Sequence, residues 1–353
     1  MSLPEIILNR EHLLFNANTI ASWCHERDML CAAVTKVVCA DKEAVRVLNR
    51  SEVDFIADSR IKNLKSIETD KPKLLLRIGM PSESEDIVRF CDISMQSELY
   101  TLRLLNEAAI ARGKLHKVIL MIDLGDLREG IFFRNEALIL NTARMIHESR
   151  GLELYGIGTN LTCYGSVLPD ETNMGELFRI ANWLRNELDE PIPIVSGGNS
   201  SALTMILQNR MPKGVNMFRF GEAIFIGNET ANGVPLAPLY NDVYTLKTEL
   251  VELQTKPSMP IGVLGLNAFG EQVTYEDKGV MRRGIIALGR QDCVIDGLTP
   301  VDPDVSVLGA SSDHTILDFT ACDHCVGDII EFTLSYGALL SLSTGQYVQK
   351  RWI

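Results

Sequence analysis

The chain has 353 residues, of which 46% are hydrophobic and 23% are charged, and its formal net charge is −12 at pH 7. This composition excludes a disordered or fibrous protein, and the negative charge argues against a nucleic acid partner because it repels phosphate backbones. No apolar stretch reaches about 18 residues and residues 1–10 show no cleavage pattern, so we expect a cytoplasmic protein without a membrane partner. A prior of about 150 residues per domain predicts two domains.

Up to about residue 232, strand-like and helix-like segments alternate. After amphipathic residues 11–27, eight apolar runs predict buried parallel strands at 30–36, 54–58, 73–78, 93–96, 117–123, 154–160, 193–196 and 216–220. The clearest helices between them are predicted at 98–112, 135–149 and 174–189. This rhythm predicts a parallel (β/α)8 TIM barrel, which we assign to residues 9–232. An open doubly wound sheet is disfavoured because no Gly-x-Gly-x-x-Gly follows the first strand.

Lys36 stands at the carboxyl end of the first predicted barrel strand. An ammonium group is expensive to leave in such a buried place without a task. In an apolar pocket we expect a lysine to have a lowered pKa, which gives the neutral amine that forms a Schiff base with an aldehyde cofactor such as pyridoxal phosphate. The alternative is that Lys36 lies outside the barrel and pairs with a carboxylate.

Loops suited to a phosphate group follow the last two predicted strands. The seventh strand leads into Ser196–Ser201 and the eighth into Arg219–Ala223, which together supply glycines, side-chain donors and helix starts. Barrel enzymes place their sites at the carboxyl ends of strands and often bind phosphate between these two loops. Ordinary capped turns are the alternative, which a lysine on the first strand disfavours. The candidate cofactor-binding residues are Ser196, Gly198, Asn199, Ser200, Gly221 and Glu222.

Two other strand ends carry candidate site residues. Arg128 follows the fifth strand, and its guanidinium can orient a carboxylate or a phenolic oxygen of the cofactor. It is alternatively a surface arginine paired with Asp126 or Glu129. Asn160 ends the sixth strand, where we expect it beside or beneath a bound ring.

From about Pro235 onward, short strands with Gly, Pro and Asp turns predict a β-rich second domain, formed by residues 233–353 and 1–8. Cys322 and Cys325 have the spacing of metal ligands, but only His314 and His324 are near them in sequence. We therefore expect a surface turn without a metal at this place. The eight cysteines are scattered, which is typical of a reduced protein.

Several ordered segments together match one known family. They are Val34–Cys39, Ala57–Arg60, Asp123–Gly130, Gly158–Cys163, Ser196–Ser201, Arg219–Ala223, Ala287–Asp292 and Gly309–His314. Through them the chain resembles pyridoxal-phosphate enzymes of the alanine racemase fold (fold type III), most closely the ornithine racemase branch. The resemblance implies a barrel that carries pyridoxal 5'-phosphate on Lys36, a C-terminal β domain, and a head-to-tail homodimer in which each β domain completes the partner's site.

Racemisation needs a proton donor or acceptor on each face of Cα, and the resemblance makes Lys36 one of them. In alanine racemases the other is a tyrosine in a Tyr-Gly segment of the β domain, where this chain has Phe269-Gly270. The candidates for the missing group are Tyr275 and, ranked ahead of it, Ser312 with His314, whose pKa range suits proton transfer. A histidine after two serines is alternatively structural. The candidate substrate-binding residues are Arg128, Ser311, Ser312 and Asp313.

Arg219 bears on the type of reaction. The resemblance places it opposite the pyridine nitrogen, which a guanidinium leaves unprotonated, whereas decarboxylases of this fold have a glutamate there. An arginine therefore predicts an amino-acid racemase, and the resemblance and the acidic charge favour ornithine or another basic amino acid as the free substrate. The alternatives are a decarboxylase, with Glu222 as the partner of the nitrogen, and a non-catalytic pyridoxal-phosphate carrier, which the β domain argues against.

Overall fold

A computed structural model describes residues 3–353, which form two compact units. One is Glu11–Tyr240, and the other joins the described part of Met1–Arg10 to Asn241–Ile353. The domain boundary expected after residue 232 lies a few residues before this change. No helix within residues 3–353 combines the length and the apolar character that a membrane crossing requires.

The bounds of the regular elements are as follows. The strands are β1 (Glu5–Leu8), β2 (Leu30–Val34), β3 (Phe55–Asp58), β4 (Lys73–Leu75), β5 (Ile93–Gln96), β6 (His116–Asp123), β7 (Ile131–Phe132), β8 (Leu152–Gly158), β9 (Ile194–Ser196), β10 (Met217–Phe220), β11 (Asn228–Glu229), β12 (Val234–Pro235), β13 (Tyr244–Pro257), β14 (Val280–Ile286), β15 (Leu298–Pro300), β16 (Ser306–Ala310), β17 (Thr315–Asp318), β18 (Ile329–Leu334) and β19 (Gln349–Trp352). The α-helices are α1 (Arg10–His25), α2 (Lys42–Asn49), α3 (Ile61–Ser66), α4 (Ser84–Phe90), α5 (Leu99–Ala111), α6 (Glu136–His147), α7 (Glu171–Leu188), α8 (Leu203–Leu207), α9 (Glu222–Ile226) and α10 (Tyr336–Thr344).

The larger unit contains a closed parallel barrel. Its strands follow the order β5-β4-β3-β2-β10-β9-β8-β6, pairing of β5 with β6 closes the ring, and β7 adds beside β6. Apolar side chains fill the interior, as close packing of a small barrel requires. Among them are Ala32, Val34, Phe55, Leu74, Met95, Ile119, Ile194 and Met217. The predicted TIM barrel is therefore confirmed, with each of its eight strands within a few residues of its predicted bounds.

The smaller unit is built around a mainly antiparallel sheet with the order β15-β18-β13-β14-β17-β16. The N-terminal strand β1 joins this unit by pairing antiparallel with β13 and parallel with β19, as the sequence predicted. Helix α10 was not predicted from the sequence; it begins where the Ser335 hydroxyl accepts a hydrogen bond from the Ala338 N–H. Its buried face, which includes Leu339 and Leu342, belongs to the core of this unit.

Candidate active site

The candidate site lies at the carboxyl ends of the barrel strands, where alternation along each strand sets which side chains point inward. Ile194 and Met217 belong to the barrel interior. Residues two apart in a strand face the same side of the sheet. Ser196 and Arg219 therefore also point inward, near the carboxyl ends of β9 and β10. Both are buried, with Ser196 at 0% and Arg219 at 4% exposure.

Lys36 lies two residues beyond the end of β2, in the 3-10 turn Thr35–Val38, and its side chain is half-buried. The prediction that it ends the strand was wrong because the chain turns immediately after Val34. The Cys39 N–H donates a hydrogen bond to the Lys36 carbonyl at 3.2 Å, and the Ala40 N–H donates one to the Thr35 carbonyl at 3.2 Å. Hydrogen bonds therefore fix the backbone that carries the Lys36 amine.

The residue before Lys36 anchors this turn to the neighbouring strand. The Thr35 hydroxyl donates to the Asp58 carboxylate at 2.8 Å, and the same carboxylate accepts from the Arg60 N–H at 2.9 Å and from Asn63 at 3.0 Å. Burial raises the pKa of Asp58, although these hydrogen bonds work in the opposite direction. Asp58 was not among the predicted site residues, since its partners are set by the pairing of β2 with β3.

The guanidinium of Arg219 is surrounded by oxygen acceptors, none of which is a carboxylate. Its guanidinium donates to the Ser196 hydroxyl, to the Thr159 carbonyl at 2.8 Å and to the Asn160 side-chain oxygen at 3.4 Å. Within residues 3–353, no acidic side chain forms an ion pair with it. Burial lowers the pKa of Arg219 to about 10, so the group remains charged at neutral pH. The described residues therefore offer this buried positive charge only neutral oxygen acceptors.

The loop after β9 is arranged around Asn199. Its side-chain oxygen accepts from the Ser201 N–H at 2.9 Å, while its amide donates to the Asn160 oxygen at 3.1 Å and to the Leu161 carbonyl at 2.9 Å. Gly198 has a φ of +116°, and a Cβ there would meet no other described atom within 4 Å. Glycine is needed here for its backbone conformation, and the space beside it is open.

The loops after β9 and β10 contact each other, as the sequence analysis expected for a shared phosphate site. The Ser200 hydroxyl accepts a hydrogen bond from the Ala223 N–H at 3.3 Å. A Cβ added at Gly221 would lie 3.5 Å from the Cβ of Val34, the last residue of β2. The two loops therefore lie next to the turn that carries Lys36.

Glu222 begins helix α9, beyond the strand that carries Arg219. Burial raises the pKa of Glu222, and Glu229 adds to this rise, while the positive charge of Lys36 opposes it. Glu222 belongs to helix α9, whereas Arg219 lies in β10 with its guanidinium among oxygen acceptors.

Pyridoxal 5'-phosphate, which the resemblance implies, suits the chemistry of these donors. It combines an anionic phosphate, an aldehyde and a ring nitrogen that accepts hydrogen bonds. The chain offers two touching loops with open space at Gly198, an amine at Lys36 and the unpaired buried charge of Arg219. The hydroxyl oxygen of Thr159 is also buried without a hydrogen-bond partner in the described part of the chain. The residues present therefore fit this cofactor.

The loop after β6 contains an anchor that the sequence analysis missed. Asp126 is fully buried, and its carboxylate accepts hydrogen bonds from the backbone N–H groups of Thr162, Tyr164 and Val167, at 3.0 to 3.2 Å. It fixes the loop after β8, which carries Asn160. The sequence shows only an aspartate in a Gly-rich loop, so these hydrogen bonds to a distant part of the chain could not be predicted from it.

Arg128, in the same loop, forms an ion pair with its neighbour Glu129, which was the alternative left open by the sequence. Its guanidinium donates to the Glu129 carboxylate with an Nη2–Oε1 distance of 2.5 Å. Burial is the largest single influence and lowers the pKa of Arg128, but the hydrogen bond and charge of Glu129, with the nearby Cys163 and Asp126, together raise this pKa. A substrate carboxylate at Arg128 would have to compete with Glu129.

The second group of candidates belongs to the smaller unit, in the turn between β16 and β17. The Ser311 hydroxyl donates to the Asp313 carboxylate at 3.1 Å, and the Nδ1 atom of His314 lies 3.3 Å from the same carboxylate. The side chains of Asp313 and His314 are 59% and 48% exposed. The hydroxyl of Ser312 is 3.5 Å from this carboxylate. Histidine, serine and carboxylate are thus close together on an exposed turn.

The backbone of this turn packs closely against Gly289, where an added Cβ would come within 2.3 Å of the Ser312 carbonyl oxygen and the Asp313 nitrogen.

Tyr275 and Phe269 lie in the long connection between β13 and β14, and both are exposed. The Arg290 guanidinium lies over the Phe269 ring, 4.5 Å from its centre. Phe269 therefore has a packing partner but no group that can transfer a proton.

The chain is similar to known proteins along nearly its whole length. A model of the alanine racemase N-terminal domain matches residues 8–229. Ornithine racemase from Acetoanaerobium sticklandii is 46% identical over 350 residues, which is 98% of this chain and 99% of that protein. Lysine racemase from Thermotoga maritima is 35% identical over 354 residues, which is 99% of this chain and 98% of that protein.

Solved structures agree on the fold. Alanine racemase from Streptomyces coelicolor A3(2) matches with a TM-score of 0.76 at 15% identity, over 99% of this chain and 98% of that chain. D-threonine aldolase from Filomicrobium marinum matches with a TM-score of 0.73 at 14% identity, over 97% and 89%. The fold is thus shared by a racemase and an aldolase, whereas both relatives found by sequence are amino-acid racemases. The family model and the two racemase relatives together show that this chain belongs to the alanine racemase family.

Proposed function

We propose that this protein is a pyridoxal-phosphate-dependent racemase of a free basic amino acid, with ornithine ahead of lysine. The observation that carries the proposal is the 46% identity to an ornithine racemase over nearly the whole length of both chains. The buried guanidinium of Arg219 supports racemisation because the family resemblance assigns this residue to the ring nitrogen. The cytoplasmic location expected from the sequence stays a prediction.

Lys36 would hold the cofactor through its Nζ atom, and the two touching loops after β9 and β10 would hold the phosphate. When bound, pyridoxal 5'-phosphate supplies an electron sink that acidifies the Cα–H of an attached amino acid. The Lys36 amine would accept the Cα proton on one face or return it there. The fixed 3-10 turn suits this task because it limits where the amine can reach.

Arg219 would donate a hydrogen bond to the ring nitrogen. Because the pKa of a guanidinium, even at about 10, stays well above that of a pyridine nitrogen, Arg219 keeps its proton and the nitrogen stays neutral. Limited electron withdrawal favours return of a proton to Cα over competing reactions. The hydrogen bonds that the guanidinium donates to Ser196 and Asn160 limit its orientation.

The proton on the opposite face would come from the smaller unit of a second subunit in a homodimer. His314 with Ser312 is our first choice and Tyr275 our second, since Phe269 cannot transfer a proton. Asp313 can orient His314, given the 3.3 Å separation between its Oδ1 atom and Nδ1 of His314. Ser311 and Ser312 would bind the substrate carboxylate from the same turn.

This arrangement predicts complementation between two inactive variants. Lys36→Ala and the double variant Ser312→Ala/His314→Ala should each be inactive alone, but heterodimers of the two chains should recover roughly half of the wild-type activity, because one of the two sites in each heterodimer is then intact. The measurement is racemase activity of dimers purified through two different tags. Recovery that appears only when Tyr275→Phe replaces the double variant would move the role to Tyr275. No recovery with either would contradict the shared site.

The substrate prediction is tested by following enantiomers of L-ornithine, L-lysine and L-alanine in deuterated water. We expect each basic substrate to approach a racemic mixture with deuterium at Cα, and kcat/KM for ornithine to exceed that for alanine by at least about a hundredfold. Chiral chromatography with mass detection measures both properties. Release of carbon dioxide would identify a decarboxylase instead, and absence of turnover with bound cofactor would identify a carrier.

A further inference from the structure

Two connections of the smaller unit meet at a cluster of metal-ligating side chains. Asp302 lies between β15 and β16, while Cys322 and His324 lie between β17 and β18. One ligand atom from each of these three residues lies within 4.8 Å of the other two. Cys322 and His324 are neighbours in the sequence, but no local pattern pairs them with Asp302, which is why a plain turn was expected.

His324 is oriented as a metal ligand would be. Its Nδ1 atom is 3.1 Å from the Asp328 carboxylate, which also accepts from the Cys325 N–H at 2.9 Å. Its Nε2 atom points to Asp302, at 3.0 Å. A histidine that binds a metal through one ring nitrogen usually donates through the other to a carboxylate, and Asp328 fills that role.

The backbone of the cluster is fixed before any metal binds. Arg282 on β14 donates to the Cys322 carbonyl at 2.6 Å and to the His324 carbonyl at 2.9 Å. The Phe319 ring lies edge-on to the His324 ring, with 5.3 Å between their centres. A preformed arrangement lowers the ordering cost of binding an ion.

Among the residues that the structure describes, the thiol of Cys322 has only long contacts. Its sulfur lies 3.8 Å from the Phe319 carbonyl and 3.9 Å from the Asp304 carbonyl, which are long contacts for a weak donor. Pairing of His324 with two carboxylates explains Asp302 and Asp328 without a metal. It does not explain why a thiol lies within 4.8 Å of ligand atoms of both Asp302 and His324.

We propose that Asp302, Cys322 and His324 bind a zinc ion, with water in the fourth position. A set of one oxygen, one sulfur and one nitrogen suits Zn²⁺, whereas Ca²⁺ and Mg²⁺ prefer oxygen alone. Ligand atoms around tetrahedral zinc lie about 3.2 to 3.8 Å apart, so the cluster needs a closure of about 1 Å. The thiol proton passes to solvent on binding, and the ion ties the two connections together.

The test uses the untagged, full-length protein under reducing conditions, stripped with a chelator and dialysed against zinc chloride. We expect about one zinc per chain, and a thiolate-to-metal absorption band when Co²⁺ replaces Zn²⁺. Cys322→Ser should lose the band and bind zinc at least about tenfold more weakly, and His324→Ala should also weaken binding. Cys325→Ser is the matched control, because its thiol is exposed in the same loop, and it should keep both properties.

A second measurement does not depend on the folding of any variant. Zinc should protect Cys322 of the wild-type protein from alkylation, while Cys325 stays reactive, as peptide mass spectrometry can show. The proposal is overturned if the wild type holds less than about a tenth of an equivalent of zinc, if Cys322→Ser binds as tightly as Cys325→Ser, or if Cys322 alkylates equally fast with and without zinc.

Discussion

Replacement of Lys36 by alanine is expected to lower kcat/KM for racemisation by at least about a thousandfold, because it removes both the attachment point of the cofactor and the base on one face of Cα. The change should leave the fold intact, since the Lys36 side chain is only half-buried and the turn is held by backbone hydrogen bonds. The measurements are the rate of ornithine racemisation and the cofactor retained after reduction with borohydride. The wild type should carry the label on the Lys36 peptide.

Lys62→Ala provides the matched control. Lys62 is exposed on α3 in the same unit, so its loss should change neither the rate nor the labelled peptide. A Lys36→Ala protein that still racemises ornithine at a rate close to that of the wild type would contradict the role proposed for Lys36. A label that appears on another lysine would place the cofactor elsewhere.

The strand ends that form the candidate site were predictable because they depend on local pattern. Buried parallel strands are nearly continuous apolar runs, and polar residues such as Ser196 and Asn160 follow them directly. Because parallel strands in a closed barrel place all carboxyl ends on one side, proximity in space followed from order in sequence. Arg219 was located in the same way, at the end of the eighth barrel strand.

Other features depended on contacts that no local pattern encodes. Asp126 accepts from a loop about 40 residues further along the chain, and Asp302 meets His324 across two connections. The turn at Lys36 was missed because Thr35 and Val37 are as apolar or β-branched as the strand before them, so hydrophobicity does not mark the end of β2. Long-range hydrogen bonds and turns within apolar runs therefore required the structure.

Replacement of Arg219 by glutamate is expected to lower racemisation by at least about a hundredfold, equivalent to about 2.7 kcal/mol of transition-state stabilisation. In the site proposed above, a carboxyl group at this place would share a proton with the ring nitrogen and increase electron withdrawal, which favours side reactions over return of a proton to Cα. Chiral chromatography measures the loss of racemisation. Assays for carbon dioxide and keto acid measure the side reactions, which should become a larger share of turnover.

Loss of this guanidinium also affects stability, which the experiment has to separate from catalysis. Two buried acceptors, the Ser196 hydroxyl and the Thr159 carbonyl, lose this donor at a cost of about 3 to 5 kcal/mol, whereas the Asn160 oxygen still accepts from Asn199. Arg219→Lys is the control, because it keeps the positive charge and loses only the forked geometry. Thermal melting with bound cofactor identifies variants that fold. A folded Arg219→Glu protein with unchanged racemisation would show that Arg219 only fills space, whereas altered products with a retained fold would establish its influence on the reaction.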